Sequence, residues 1–300
     1  MLTTNFGIEI EMTGITRRAA AEAARTVLGG TVLYDGSYYD TWRLKAADGR
    51  TWQFTYDGSI TCQKREHGTR TTADRSYSTE MVSPILSYER DIEALQEVVR
   101  TLRGAGAFVN STCGIHIHLD GAAHTARSIR NFINIIYSRN DLFYKALDIE
   151  ARRISYCKKM DGALVAAMNK AKPTTLSQIE EIWYAPYADD RTRHYHQSRY
   201  HFLNLHSFFN GHGTVELRGF NSTLHAGEVR SYIILALALN HQALTQKFAS
   251  TRKPQVENEK FAMRTYLNRI GLIGDEYKAC RNHLCKHLPG SSAWRHRQAA

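Results

Sequence analysis

Pairs of ionisable side chains separated by a single residue recur in three segments of this 300-residue sequence. The segment FGIEIEM contains two carboxylates, those of Glu9 and Glu11. The segment GIHIHLD contains two imidazoles, His116 and His118, and TVELRGF contains a carboxylate and a guanidinium, Glu216 and Arg218. In a β-strand, residues i and i+2 point to the same face and lie roughly 6.5 to 7 Å apart. The residues between the pairs, Ile10, Ile117 and Leu217, are apolar. We therefore expect strands with one face in the core and one face carrying the ionisable groups.

A fourth segment, STEMVSP, contributes another carboxylate at the beginning of a strand, that of Glu80. Each pair alone has a structural explanation, because exposed sheet faces carry charges and surface ion pairs stabilise little. Several carboxylates gathered on one face, however, would repel one another without cations. We therefore interpret Glu9 and Glu11 as metal ligands.

The types of ligand indicate which metal would bind. Three or four carboxylates with one imidazole suit Mg²⁺ or Mn²⁺ better than zinc. Such ions usually act on phosphate, whose oxygens they bridge. Arg218 supplies the planar fork that binds phosphate bidentately. Together these groups suggest ATP.

Periodicity and turn residues predict the order of the elements. Strands are expected over residues 6–12, 32–34, 52–56, 115–119 and 202–205, in GTVELRGF, and in a segment ending at Pro84. Helices are expected between Thr16 and Gly29 and over residues 89–103, 125–147 and 228–248, followed by two amphipathic helices. Residues 61–78 are predicted to form a mobile polar loop. Parallel strands are usually continuously apolar, whereas these alternate, so we predict an α+β fold with a mainly antiparallel sheet.

Composition limits the function classes. No segment approaches the roughly 20 apolar residues that span a bilayer, and no signal peptide is evident, so we expect a soluble cytoplasmic protein without a membrane partner. Five irregularly spaced cysteines argue against a disulfide framework. Cys280 and Cys285 lie near His283 and His287. These positions scatter around a predicted helix, so we interpret them as incidental rather than as a zinc site.

The formal net charge of +10 raises the question of a nucleic-acid partner. The basic residues are spread along the chain, and no helix-turn-helix, finger or RNA-recognition motif is present. A surface suited to anionic ligands such as nucleotides is the simpler interpretation. A non-catalytic nucleic-acid-binding protein stays an alternative, and it predicts a steep salt dependence of affinity.

Six segments, in this order, carry a resemblance to a known family: FGIEIEMTG, YDGSI, TEMVSPIL, CGIHIHLD, RYHFLNL and GTVELRGF. They resemble the amidoligase family of the carboxylate-amine ligase superfamily, which shares its fold with glutamine synthetase and glutamate-cysteine ligase. The resemblance runs from about Phe6 to Phe220. It implies a curved sheet with helices packed on its convex face, and a concave face that holds ATP and Mg²⁺ or Mn²⁺. It also implies a single catalytic domain over residues 1–300, with a helical C-terminal portion from about residue 225.

The activity implied by the resemblance is an ATP-dependent carboxylate-amine ligase that forms an amide, as a peptide or isopeptide bond. A substrate carboxylate attacks the γ-phosphate to form an acyl phosphate, and an amine then displaces phosphate. The implied partners are ATP, a carboxylate substrate and an amine substrate. The family suggests that these substrates are amino acids, peptides, cell-wall components or proteins.

The resemblance also implies a role for each matching residue. Metal ligands are expected at Glu9, Glu11, Glu80, His116 and Glu216. Nucleotide or phosphate contacts are expected at His116, His118, Arg199 and Arg218. The implied catalytic residues are Arg218, Glu216 and His116. Substrate contacts are expected at Asp57, Ser59 and Asn204.

Two further interpretations stay open. Cys113 stands three residues before His116, but it precedes a strand rather than a helix, and a cysteine nucleophile would leave the glutamates unexplained. A divalent-metal hydrolase would keep the metals without ATP, although the sequence has no His-Glu-x-x-His motif. The sequence departs from the family pattern at His201 and in the basic segment from Lys64 to Arg75. That segment is either a lid over the substrate or a solvated insertion.

Overall fold

The computed structural model describes residues 1–294. Its strands are β1 (Phe6–Met12), β2 (Thr31–Tyr34), β3 (Trp42–Lys45), β4 (Thr51–Thr55), β5 (Gln63–Glu66), β6 (Thr69–Thr72), β7 (Thr79–Val82), β8 (Gly114–Asp120), β9 (Leu203–Asn204) and β10 (Thr214–Asn221). Its α-helices are α1 (Arg17–Leu28), α2 (Tyr88–Gly104), α3 (Ala126–Ala146), α4 (Gly162–Ala171), α5 (Leu176–Tyr184), α6 (His206–Asn210), α7 (Ala226–Thr245), α8 (Glu259–Arg269) and α9 (Lys278–Cys285).

Eight strands form one sheet in the order β2-β3-β4-β7-β1-β8-β10-β9. Every neighbouring pair in this order is antiparallel. The prediction of an α+β fold with an antiparallel sheet is therefore confirmed. The closer likeness to glutamine synthetase, including the curvature of the sheet, stays a prediction.

The two faces of the sheet differ in chemistry. In β1, Ile8 and Ile10 are buried in the hydrophobic core, while Glu9 and Glu11 alternate with them and belong to the opposite face. Helix α1 packs on β2, β3, β4 and β7, and α7 packs on β8. Alanines of α1 and leucines of α7 belong to the same core as Ile10, which places both helices on the apolar side. We call the opposite face, which carries Glu9 and Glu11, the polar face.

A β-bulge in β10 affects the polar face. Leu217 pairs with Ile117 of β8 and Phe220 pairs with Ile115, so two residues of β10, Arg218 and Gly219, oppose one residue of β8. A Cβ atom at position 219 would lie 1.9 Å from Cδ2 of Phe202, so this position requires glycine. The bulge places Arg218 opposite His116.

Several elements differ from those predicted. The predicted loop over residues 61–78 contains the β5–β6 hairpin, whose central residues His67 and Gly68 both have positive φ. Two positive φ values are typical of a type I′ turn, which matches the twist of a hairpin. Strand β3 and helices α4 and α5 were also not predicted. The strand predicted over residues 202–205 is reduced to the two residues of β9.

From Ala226 onwards the regular elements of the described chain are the helices α7, α8 and α9. The single domain over residues 1–300 stays a prediction, and its last six residues lie outside those described. Among residues 1–294, no helix has both the length and the apolar character needed to cross a membrane. The cytoplasmic location stays a prediction as well.

Candidate active site

Strand register brings the predicted side chains together on the polar face. Glu9 on β1 pairs with His116 on β8, and His118 on β8 pairs with Glu216 on β10. On the other side of β1, Glu11 pairs with Glu80 on β7. Five adjacent strands, from β7 to β9, therefore contribute to one site.

Glu9 links the two histidines of β8. His116 Nδ1 lies 2.8 Å from Oε2 of Glu9, and because a carboxylate only accepts, this nitrogen carries the proton. The Nε2 atom of His116 is then free to act as a ligand, with Oε1 of Glu11 at 3.8 Å. Hydrogen-bonded carboxylates commonly orient metal-binding imidazoles in this way.

The Nε2 atom of His118 is buried and has no hydrogen-bond partner among residues 1–294. It lies 3.3 Å from Oε1 of Glu9 and 3.8 Å from Oε1 of Glu216. Ligand atoms of these three residues lie within 4.8 Å of one another. This nitrogen and the two carboxylate oxygens converge on one point, where a divalent cation would balance the charges of both carboxylates. These residues therefore fit a divalent cation.

Two further groups of potential metal ligands share residues with the first. One is Glu9, Glu80 and His116, and the other is Glu11, Asp57 and Glu80, each again within 4.8 Å. Oxygen predominates in both groups, which suits Mg²⁺ or Mn²⁺. The structure thus adds His118 and Asp57 to the residues that could hold a metal.

The two glutamates that face each other are difficult to ionise together. Burial and then the negative charge of Asp57 raise the pKa of Glu11 to about 8. Burial and the charges of Glu9, Asp57 and Glu11 raise the pKa of Glu80 well above its ordinary value. Within residues 1–294, Glu80 has no side-chain hydrogen bond and no ion pair. In the absence of a cation, both carboxyl groups therefore retain protons more strongly than usual.

Glu216 has the opposite electrostatic environment. Burial disfavours its ionisation, but the charges of Arg218 and of the two histidines lower its pKa to about 2. Its Oε1 atom accepts a hydrogen bond from Nη1 of Arg218, and its Oε2 atom accepts one from Nδ2 of Asn204 at 2.6 Å. Asn204, which was predicted to contact substrate, thus orients Glu216; it also lines the larger cavity, and its contact with substrate stays a prediction.

The two histidines also differ in protonation. Burial and the positive charge of Arg218 lower the pKa of His116 to about 4, so that it is neutral at pH 7. Burial alone would lower the pKa of His118, but Glu216 and Glu9 outweigh it and raise the pKa. His116 is therefore ready to act as a ligand, while the carboxylates that raise the pKa of His118 would also attract a cation to its side.

The polar face opens into two adjoining cavities, of about 290 and 520 Å³. Both are lined by Tyr39, Tyr195 and Arg199, and the hydroxyls of the two tyrosines lie 3.4 Å apart. The smaller cavity reaches Glu11 and is lined by tyrosines, whereas the larger reaches Glu9, His118 and Glu216. A separate cavity of about 470 Å³ beside α8 contains none of the predicted site residues.

Three predicted positions lie at the edge of this arrangement. Asp57 accepts a hydrogen bond from the backbone of Ser59 in a turn, and Ser59 itself is exposed at the smaller cavity. The Arg199 guanidinium stacks on Tyr195 and Tyr200, and its Nε atom is buried without a partner among residues 1–294. Ser59 and Arg199 could contact a substrate without contributing to the centre, whereas Asp57 also belongs to one of the groups of potential metal ligands.

The cysteine interpretation receives no support from the geometry. Cys113 is buried beside Asn110, and burial raises the pKa of its thiol to about 12. A nucleophilic cysteine needs an environment that favours the thiolate. Cys113 is therefore a packing residue.

Comparison with protein-family models gives a match to the family described as putative amidoligase enzyme, over residues 2–240. The chain belongs to this family. The matched region contains every strand of the sheet and every predicted site residue. A search of curated proteins finds no match.

Membership of the amidoligase family indicates an enzyme that joins substrates through an amide bond. The resemblance inferred from the six sequence segments is therefore confirmed. The family name specifies neither the energy source nor the substrates, and the roles assigned to individual residues stay predictions.

Proposed function

We propose that this protein is an ATP-dependent carboxylate-amine ligase that uses Mg²⁺ or Mn²⁺ and forms an amide through an acyl phosphate. One observation carries the proposal. Glu11, Glu80 and Asp57 converge on the polar face, yet Glu80 has no ion-paired cation within the described residues. Such a site is electrostatically incomplete without bound cations. An arginine that could bind a phosphoryl group, Arg218, is buried next to it.

The bound cations would bridge phosphate oxygens and neutralise the charge that develops during transfer. Glu9, His118 and Glu216 would hold one cation at the larger cavity, and Glu11, Asp57 and Glu80 another at the smaller. In this proposal, Arg218 donates from its guanidinium to the transferred phosphoryl group. Glu216 keeps that guanidinium in position through their hydrogen bond.

An acyl phosphate must be protected from water until the amine attacks. Tyr39 and Tyr195 line both cavities, and their hydroxyls lie 3.4 Å apart. This contact would cover the junction where acid and phosphate react. The carboxylate and amine substrates would be amino acids, peptides, cell-wall components or proteins.

Nucleotide binding tests the first part of the proposal. Isothermal titration with a non-hydrolysable ATP analogue should show binding that requires Mg²⁺ and that is lost in Glu9→Ala. Glu97→Ala is a matched control, because Glu97 is exposed on α2 and pairs only with Arg100 among the described ion pairs. Binding that persists unchanged in Glu9→Ala would refute the assignment of the metal site.

Hydroxylamine tests the acyl phosphate without knowledge of the natural amine. It attacks an activated carboxylate to give a hydroxamate, which is measured together with ADP while candidate acids are varied. Hydroxamate formation that depends on ATP supports the ligase. Cleavage of amides or phosphoesters by the metal-loaded protein, with no nucleotide binding, would instead favour the divalent-metal hydrolase.

A further inference from the structure

A second group of metal-binding side chains lies outside the candidate active site, where α7 and α9 meet. It consists of His225, Glu228 and His283, whose ligand atoms lie within 4.8 Å of one another. His225 caps the beginning of α7, Glu228 belongs to its first turn, and His283 belongs to α9. We propose that these three residues bind a zinc ion.

Gly227 shows that the two imidazoles face a common space. A Cβ atom at this position would lie 3.0 Å from Nε2 of His283 and 3.4 Å from Nδ1 of His225. The two ring centroids are 5.1 Å apart. The absence of a side chain at residue 227 therefore leaves room between the two imidazoles, next to the Glu228 carboxylate.

The donor set distinguishes this site from the polar face of the sheet. Two imidazoles and one carboxylate are a typical set of protein ligands for zinc, with a fourth position left to water. The active-site groups contain more carboxylate oxygen and suit Mg²⁺ or Mn²⁺. His225 is exposed, and Glu228 and His283 are half-buried, so an ion can reach the site from solvent.

Three interactions of the metal-free protein involve the same side chains. The hydroxyl of Thr223 donates to Oε2 of Glu228 at 2.8 Å. The ammonium group of Lys286 is paired with Oε1 of Glu228. Nδ1 of His225 accepts a hydrogen bond from the backbone nitrogen of Glu228 at 3.2 Å. Zinc must displace the ammonium group of Lys286 from the carboxylate, and its double charge compensates the carboxylate more fully than one ammonium group. Removal of the lysine charge should therefore strengthen zinc binding.

The sequence did not predict zinc here, because the four nearby cysteine and histidine positions scatter around one predicted helix. Cys280 is buried against Ser231 on α7, and neither it nor Cys285 belongs to the group. Of the four positions noted in the sequence, His283 alone belongs to this group. Its partners precede it by more than 50 residues, which is why no local spacing indicates the site.

The experiment measures zinc alone by equilibrium dialysis, followed by elemental analysis. The parent protein and all variants carry Glu9→Gln, Glu80→Gln and Glu216→Gln, because each of the three groups of active-site ligands could also bind zinc. We expect one zinc per chain, a loss of affinity of about tenfold or more in His283→Ala, and tighter binding in Lys286→Met. His287→Ala is the matched control, because His287 faces Asp148 rather than this group.

Zinc should also raise the melting temperature of the parent protein, because the bound ion links α7 to α9. The His225→Ala variant should not show this increase. Metal-free melting temperatures report whether each variant is folded. Absence of zinc binding, or equal binding by the parent and a folded His283→Ala variant, would overturn the proposal. The outcome does not depend on whether the protein is a ligase.

Discussion

Glu11 and Glu80 lie directly opposite each other on β1 and β7. Because the pKa values of both groups are raised, the folded metal-free protein must hold protons at neutral pH that the unfolded chain does not hold, which lowers its stability. The Glu80→Gln substitution should therefore raise the melting temperature of the metal-free protein, while it abolishes Mg²⁺-dependent catalysis. Differential scanning fluorimetry in EDTA and in Mg²⁺ measures the first effect. A lower metal-free melting temperature would contradict this explanation, and Glu97→Gln on α2 is the control.

Stability without metal should depend on pH through Glu11. Because its folded-state pKa is raised to about 8, the folded protein binds more protons than the unfolded chain between about pH 4.5 and 8. This contribution to stability is present at low pH and is lost as the pH rises through 8. The melting temperature in EDTA should thus fall between about pH 5 and 8, and Glu11 should cause little further change above pH 8.

Saturating Mg²⁺ should reduce that fall, because the ion stabilises the ionised carboxyl group. Glu11→Gln should show a weaker pH dependence than wild type under the same conditions. A melting temperature that rises with pH in EDTA, or an identical dependence in Glu11→Gln, would exclude Glu11 as the source.

The planar geometry of the Arg218 guanidinium should contribute more to catalysis than its charge does. Lysine keeps the positive charge next to Glu216 but cannot form two parallel hydrogen bonds to a phosphoryl group. We expect Arg218→Lys to lower kcat by about 100-fold or more, with Mg²⁺ affinity changed much less. Steady-state kinetics with a titration of Mg²⁺ separates the two effects. Arg100→Lys on α2 is the control, and an unchanged kcat would remove Arg218 from the chemistry.

Asn204 should act on metal affinity through Glu216. Its buried amide donates to Oε2 of Glu216, and its Oδ1 atom accepts from the backbone of His206. Loss of this support in Asn204→Ala should weaken metal binding by about 10- to 100-fold. Isothermal titration with Mn²⁺ measures this change in metal affinity. Asn169→Ala, which removes a pair with Asn134 between α3 and α4, should leave the affinity unchanged.

Alternation of polar and apolar residues was sufficient to predict the centre of the site. It indicated that Glu9, His116 and Glu216 belong to strands with one buried face, and antiparallel pairing then makes them neighbours. Asp57 was noted in the sequence only as a turn residue and possible substrate contact. Its place among the potential metal ligands depends on how the end of β4 packs beside β7, and no local pattern encodes that packing.

Other elements were missed because their pattern was weak. The β5–β6 hairpin is polar on both faces and lies outside the main sheet, so it shows no apolar alternation. The feature of the sequence that indicated this hairpin was its His67–Gly68 turn. For α5, the Thr175–Gln178 capping box marks the beginning of a helix and could have identified it.

The order of the strands also determines when the site can form. The hydrogen bond between Glu9 and His116 joins residues 107 positions apart, and Glu216 follows another hundred residues along the chain. Such distant contacts form late in folding, because long loops must close first. A nascent chain is unable to assemble the polar face until β10 has left the ribosome. Tight Mg²⁺ binding would consequently report completion of the whole sheet during synthesis or refolding.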